Sequence, residues 1–271
     1  MSRRVLPGFG LSLSVTLVYV AVLLVLPLAA CLAKACSLTP AQFWGAVWTE
    51  RTRAAYAFTF GASLAASVAS VALGLLVAWV LVRYEFPGKR LLDSLVDLPF
   101  ALPTAVAGLV YSSLYVKNGR LGQYLVPLGI EAAYTRSAVV LVLTFLGLPF
   151  VVRAVQPVLE TLDADTEEAA HLLGASRLQI FLQVILPLIR PAALTGFALS
   201  FARSLGEYGS VVFVSGNMPF RTEIAPVLIV GRLEEYAYGE ATAIALVLLA
   251  MSLATLVVIN LLERRSRRYA T

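Results

Sequence analysis

Charge is scarce in this chain. Asp, Glu, Lys and Arg make up 14% of its 271 residues, against about 25% in a soluble globular domain, so an ordinary water-facing surface cannot be built from it. Metal-binding and base-forming side chains are scarcer still: one histidine, His171, and two cysteines, Cys31 and Cys36. That argues against a metal centre of clustered His, Cys and carboxylates, and against a serine nucleophile activated by an intramembrane histidine. No glycine-rich phosphate loop followed by Lys-Ser or Lys-Thr occurs, so the usual nucleotide site is not expected here, and no catalytic residue or bound cofactor is assigned. No basic run is interleaved with aromatics, which removes nucleic acid from the candidate partners. Pro- and Ser-rich linkers and low-complexity tracts are also missing, so an appended soluble enzyme is not expected.

What fills the chain instead is apolar, 59% of residues, gathered in blocks. Leu11 to Ala33, Ala54 to Val82 and Ala241 to Leu262 contain no charged side chain, and each is long enough to cross about 30 Å of hydrocarbon as a helix. Leu91 to Val116, Ser137 to Leu159 and Leu188 to Ser215 read as three more spans, each interrupted by a proline or an ionisable residue. The expected fold is all-α: a polytopic membrane protein with six transmembrane helices. Six spans put both termini on one side. Arg3, Arg4, Arg264, Arg265, Arg267 and Arg268 assign that side to the cytoplasm, with Arg83, Lys89 and Arg90 adding to the bias. The division that follows is a tail, first span and outer loop over 1–53, a five-helix core over 54–262, and a basic tail over 263–271.

Leu28-Ala29-Ala30-Cys31 resembles a lipoprotein-processing box, but the apolar run is long for a signal and a transmembrane chain follows it. Cys31 and Cys36 could pair in an oxidising compartment or stay inert. In the third span Pro99 and Pro103 remove backbone donors and predict a bend near its inner end. Gly61, Gly74, Gly108 and Gly196 are expected at close helix contacts. Of the outer loops, Thr222 to Glu235 has the spacing of a short surface helix.

The longest inner segment, 160–190, reads as helix, turn, helix. Asp163 or Asp165 can cap the first helix, Glu167 and Glu168 fall in its first turn, and Gly174 ends it in a left-handed residue. Ser176 can cap the second, and Pro187 marks a bend into the fifth span. Ala169, Ala170, Leu172 and Leu173 give a small apolar surface rimmed by carboxylates, suited either to docking in a partner's groove or to packing on the bundle itself.

Glu168-Ala169-Ala170, three residues, Gly174, nine residues, Val184, one residue, Leu186-Pro187 resembles the signature loop of permease subunits of bacterial ABC importers. It departs from that pattern at Val184, where isoleucine is usual. The resemblance implies the type I importer permease fold, with a cytoplasmic coupling helix that docks on an ATPase subunit through Glu168, Ala169, Ala170, Gly174, Leu186 and Pro187. A closer likeness rests on Ser2 to Gly8, Tyr84 to Gly88, Asp97 to Gly108, Pro149 to Arg153, Gln156 to Glu160 and Ser204 to Gly209, which look like the T-type permeases of sulfate/thiosulfate importers. Molybdate and tungstate permeases are similar in the loop but usually lack the first span. The resemblance implies ATP hydrolysis with Mg-ATP on two copies of a partner ATPase. It also implies a second homologous permease, a periplasmic sulfate/thiosulfate-binding protein and residence in the inner membrane.

Arg203 and Glu207 lie four residues apart in the fifth span, which puts them on one helix face within pairing reach. An unpaired arginine at mid-span costs about 2.5 to 3.5 kcal/mol on insertion scales, so the pair faces the bundle or a wet cavity. With Pro99 and Pro103 these two residues are candidates for a translocation pathway or gate; a clamp that fixes helix packing is the other reading. A secondary transporter driven by ions would instead use carboxylates such as Asp97 or Glu207 for coupling, and it leaves the 160–190 loop unexplained.

Overall fold

The computed structural model describes residues 8–162 and 164–267. Arg3, Arg4, Arg268, the cap candidate Asp163 and the side chains of Asp165, Arg264, Arg265 and Arg267 lie outside what is described.

The described residues form helices and connecting turns. In chain order the helices that position the site are α1 (Phe9–Ala35), α2 (Pro40–Val47), α3 (Glu50–Arg83), α4 (Lys89–Val96), α5 (Leu98–Ala101) and α6 (Thr104–Tyr115), with one further helical turn, Gly122–Leu125, after α6. They continue with α7 (Arg136–Glu160), α8 (Ala164–Leu172), α9 (Arg177–Leu205), α10 (Val211–Val214), α11 (Ala225–Glu234) and α12 (Tyr238–Arg267). Their starts are written in the sequence. Thr39 and Gln42 form a capping box ahead of Pro40, Thr49 accepts from the Thr52 amide, and Thr135 accepts from the Ala138 amide; each occupies a donor that a helix start leaves orphaned.

Five helices among the described residues are long and apolar enough to cross a membrane: α1, α3, α7, α9 and the Tyr238–Ile259 part of α12. The third expected span is not one helix. Pro103 forces the residue before it out of the helical region, and Leu102 is extended at ψ 132° for that reason. Leu91 to Val116 is therefore broken into α4, α5 and α6 rather than bent. The fifth expected span also stops early, at Leu205, ten residues short of Ser215. Pro187 does not mark a break. A wide π turn, Phe181–Ile185, ends two residues before it, as Ala21–Val25 does before Pro27, and this widening relieves the clash between a proline ring and the carbonyl four residues back.

The core is the trio α3, α7 and α9, which pack on one another along most of their length. Glycine sets their spacing. A Cβ added at Gly74 would lie 2.7 Å from the Val151 side chain, and one at Gly196 would lie 2.7 Å from Val151 Cα. Gly108 is pressed on Ser210 in the same way, with Ser210 O 2.4 Å from the added carbon. Gly61 is the exception among the expected contacts, with open space beside it. Between the three helices Ala78, Leu81, Val151, Val152, Val155, Leu159, Ile185 and Ile189 form the largest buried cluster. α12 closes the bundle against α9 and α11. The long first helix buries only Ala35 and meets the rest through α12 at that end.

Two glycine substitutions separate close packing from helix propensity. Gly196→Val should destabilise the folded chain by about 1–3 kcal/mol through overpacking, whereas Gly61→Ala should be neutral or gain up to about 1 kcal/mol. Equilibrium unfolding of the solubilised chain in mixed micelles measures both, and equal losses at the two positions would contradict the packing described here.

Candidate functional site

At one end of the bundle the 160–190 loop carries α8. Its terminus is a Schellman turn: Gly174 is left-handed at φ +87°, the Ala175 amide donates to Ala170 O at 3.1 Å and the Gly174 amide donates to His171 O at 2.9 Å. A residue with a Cβ resists this conformation. Ser176 then starts α9 in a capping box with Gln179. One side of α8 is anchored, since Ala170 and Ala175 pack on the large core cluster and Glu167 pairs with Arg83 at the end of α3. The other side is bare. Glu168, Ala169 and His171 are exposed, and Leu172 and Leu173 are 87% and 89% exposed. A groove of about 450 Å³ runs between Glu167, Glu168, His171 and Leu172 of α8 and Arg177 and Ile180 of α9. Leu186 is half-buried and Pro187 exposed in the first turn after the π segment.

A second polar region sits midway along the trio. Ser63, Ser67 and Ser70 of α3, Thr144 of α7 and Ser200 and Ser204 of α9 are all buried. Ser70 Oγ donates to Thr144 O at 3.1 Å, and Ser67 Oγ donates to Ser63 O at 2.7 Å. Gly147 leaves room for two of these hydroxyls, because a Cβ there would lie 2.2 Å from Ser200 Oγ and 2.8 Å from Ser70 Oγ. One turn beyond Ser200 is the charged pair, with Arg203 Nη1 2.5 Å from Glu207 Oε2. The two are not on one helix face, as their spacing suggests, since α9 ends at Leu205 and Glu207 lies just past the terminal Gly206. The Glu207 side chain is 2% exposed against 37% for Arg203. Its other oxygen accepts from the Ser210 amide at 2.8 Å and from Ser210 Oγ at 3.0 Å. The carboxylate is thus engaged through both oxygens in holding the 206–210 turn, while the half-exposed Arg203 has no second partner among the described residues.

The broken span is fastened to both regions. Pro99 is buried and Pro103 exposed, and α6 is held by Gly108 against Ser210, by Thr104 beside Gly209 and by Ser112 Oγ donating to Phe213 O at 2.7 Å. On the loop side of the prolines, Arg153 of α7 forks onto Asp97 through Nε at 2.8 Å and Nη2 at 2.6 Å. It also reaches Asp93 Oδ1 at 2.6 Å and Gln156 Oε1 at 2.8 Å. Bidentate pairing of this kind fixes geometry as well as charge.

Arg153 with Asp93 and Asp97, and Arg83 with Glu167, are groupings the sequence reading did not make. For Arg153 there was a signal: prolines at 149 and 157 flank it, so no carboxylate of its own helix lies within reach at those positions. Cys31 and Cys36 are both free thiols.

A helical bundle with a tight three-helix core, a span broken at prolines and an exposed loop helix is the architecture of a membrane permease. The chain belongs to the family of binding-protein-dependent transport system inner membrane components, which it matches over residues 70–268. Among curated relatives it is 50% identical to the sulfate transport system permease protein CysT of Salmonella typhimurium over 98% of this chain and 96% of that one. It is 48% identical to the Escherichia coli protein of that name over the same shares, and 50% identical to the Synechocystis one over 94% of this chain and 90% of that one. In fold it resembles a chain of a bacterial alginate ABC transporter solved with an alginate-bound periplasmic protein, with TM-score 0.77, 18% identity and 94% and 93% of the two chains covered. It also resembles a chain of the MetNI methionine ABC transporter, with TM-score 0.58, 18% identity and 86% and 100% covered. These matches make it a multi-pass ABC importer permease.

If Arg203 and Glu207 act as a unit, a double-mutant cycle of Arg203→Ala and Glu207→Ala should return a coupling energy of about 1–3 kcal/mol. Glu207→Ala alone should cost about 3 kcal/mol or more, because it leaves a charge unpaired at depth. Chemical unfolding of the four variants reads both values, and additive losses would show that the two side chains work independently.

Proposed function

We propose that this chain is a channel-forming permease subunit of a bacterial ATP-driven importer that carries sulfate and thiosulfate across the inner membrane. The observation that carries this reading is identity of 48–50% to sulfate permeases along 94–98% of the chain. In the proposed complex the chain sits beside a second, homologous permease, with both termini and the 160–190 loop in the cytoplasm. Two ATPase subunits bind and hydrolyse Mg-ATP, so this chain is not itself an enzyme. A periplasmic binding protein presents the anion at the outer mouth. Residues 54–262 form the transport core, flanked by the 1–53 and 263–271 segments.

Force is proposed to enter at α8. Glu168 and Ala169 with Leu172 and Leu173 supply the exposed contact, Ala170 the hold on the bundle, Gly174 the sharp end, and Leu186 and Pro187 the root of α9. Closure of the ATPase pair moves this helix, and the bundle alternates between inward and outward openings. Arg203, Glu207, Pro99 and Pro103 are assigned to the pathway or gate: Arg203 offers donors at depth, and the prolines separate α4 from α6 where two segments can shift independently. Ion-gradient coupling through Asp97 or Glu207 is disfavoured by the geometry, because each carboxylate is already paired with an arginine.

Liposomes holding this chain, its sister permease, the ATPase and the binding protein test the reading. Sulfate should stimulate ATP hydrolysis and uptake together, with molybdate as the competing cargo. Glu168→Lys and Gly174→Pro should each lower both by about tenfold or more, equivalent to ~1.4 kcal/mol of lost docking, while the variants still insert. Uptake that needs no ATPase and follows an ion gradient would overturn the assignment.

A further inference from the structure

Beside the loop lies a cavity to which the proposed import function assigns no part. It encloses about 540 Å³ between α3, the last turn of α7 and the foot of α9. Its wall is apolar, with Leu75, Leu76, Trp79, Leu178 and Phe181 among its lining residues. Leu76 and Leu178 are exposed, and Trp79 meets Phe181 edge to face at 5.7 Å. One charged side chain, Arg177, completes the lining, and its guanidinium makes no hydrogen bond or ion pair with a described residue. A second cation stands close: Arg83 Cζ lies 5.4 Å from the Trp79 ring centroid, and its buried Nε–H has no acceptor among the described residues.

Position decides what fills such a cavity. α3 ends at Arg83 and α7 at Glu160, so with these helices as spans the cavity lies where they leave the hydrocarbon for the headgroup layer. Tryptophan and arginine are the side chains suited to that boundary, one amphipathic and one reaching for phosphate. Exposed leucines facing a bilayer take up an acyl chain in place of water, and a guanidinium with no partner among the described residues selects an anionic headgroup at the rim. We propose that this cavity binds an anionic phospholipid, its phosphate on Arg177 and one acyl chain along Trp79, Leu76 and Leu178.

Arg177 also lines the groove beneath Glu167, Glu168 and His171 of α8. A phosphate on Arg177 holds its guanidinium on the membrane side and away from those carboxylates. Lipid occupancy and the seating of α8 therefore share one residue, which makes the anionic lipid a regulator of how the loop is presented. This holds whichever cargo is carried.

Trp79 reports on its own site. The chain has three tryptophans, so Trp44→Phe with Trp48→Phe leaves it alone in the full-length protein. In bilayers, phospholipids with brominated acyl chains quench a tryptophan they touch. Brominated phosphatidylglycerol should quench Trp79 with about fivefold apparent preference over brominated phosphatidylcholine at equal mole fraction. Arg177→Gln should abolish the preference and Arg177→Lys should retain most of it. Equal quenching by the two headgroups, or a preference that survives Arg177→Gln, overturns the proposal. In the assembled importer, native mass spectrometry should find phosphatidylglycerol retained by the native chain and depleted by Arg177→Gln. Its absence from both would mean that protein covers the cavity, which also overturns the proposal.

Discussion

A charge placed among hydrocarbon has to bring its counter-charge with it, and this requirement organises the polar interior of the molecule. Water is scarce there, so the ionic groups that the bundle encloses are placed by the partners they reach. Glu207 holds Arg203 and the Ser210 amide and hydroxyl together. Arg153 binds two carboxylates from the segment before the prolines. Arg51 forks onto the buried Glu223 and ties the far end of α3 to the loop before α11. Each pairing joins segments separated along the chain or fixes a turn that no regular helix would hold.

The broken span shows how such pairings substitute for helix continuity. Prolines at 99 and 103 cost the chain its backbone ladder between α4 and α6. The cut ends are then secured on opposite sides by unlike means. Arg153 fixes the loop side through charge, and Gly108, Gly209 and Ser112 fix the other side through close approach and one hydrogen bond to Phe213 O. Irregular backbone at membrane depth is tolerated only where protein satisfies it, and here α7 and the 206–215 segment do so.

Much of this was legible in advance, and the failures have definite causes. Long charge-free runs declared α1, α3 and α12, because span length follows from bilayer thickness alone. Gly174 and Ser176 marked the end of α8 and the start of α9 correctly, because each is a local device whose signal lies within four residues. The split of Leu91 to Val116 was underestimated: two prolines predict disruption, but whether a helix bends or breaks depends on partners distant in sequence, here Arg153 and Ser210. Reading Arg203 and Glu207 as one helix face failed because the stop signal at Gly206, directly after Leu205, was not used. The ladder of Thr59, Ser63, Ser67 and Ser70 at three- and four-residue spacing was visible in α3, yet its meaning needed Ser200 and Thr144 brought opposite. The coupling loop and pathway assignments rest on resemblance and exposure, which a single chain's contacts do not reach.

The π turn before Pro187 carries a mechanical implication. Because the helix widens instead of breaking, α9 stays one rod from Arg177 to Leu205, about 43 Å long. Its shaft is keyed to α7 at Gly196 and Gly147, where no slippage fits. In the proposed importer a stroke delivered at the foot of that rod would be passed to the three-helix block through these close contacts. In the proposed transport cycle the buried serines and Arg203 would travel with that block, and the segments cut at Pro99 and Pro103 would be the seam across which it moves.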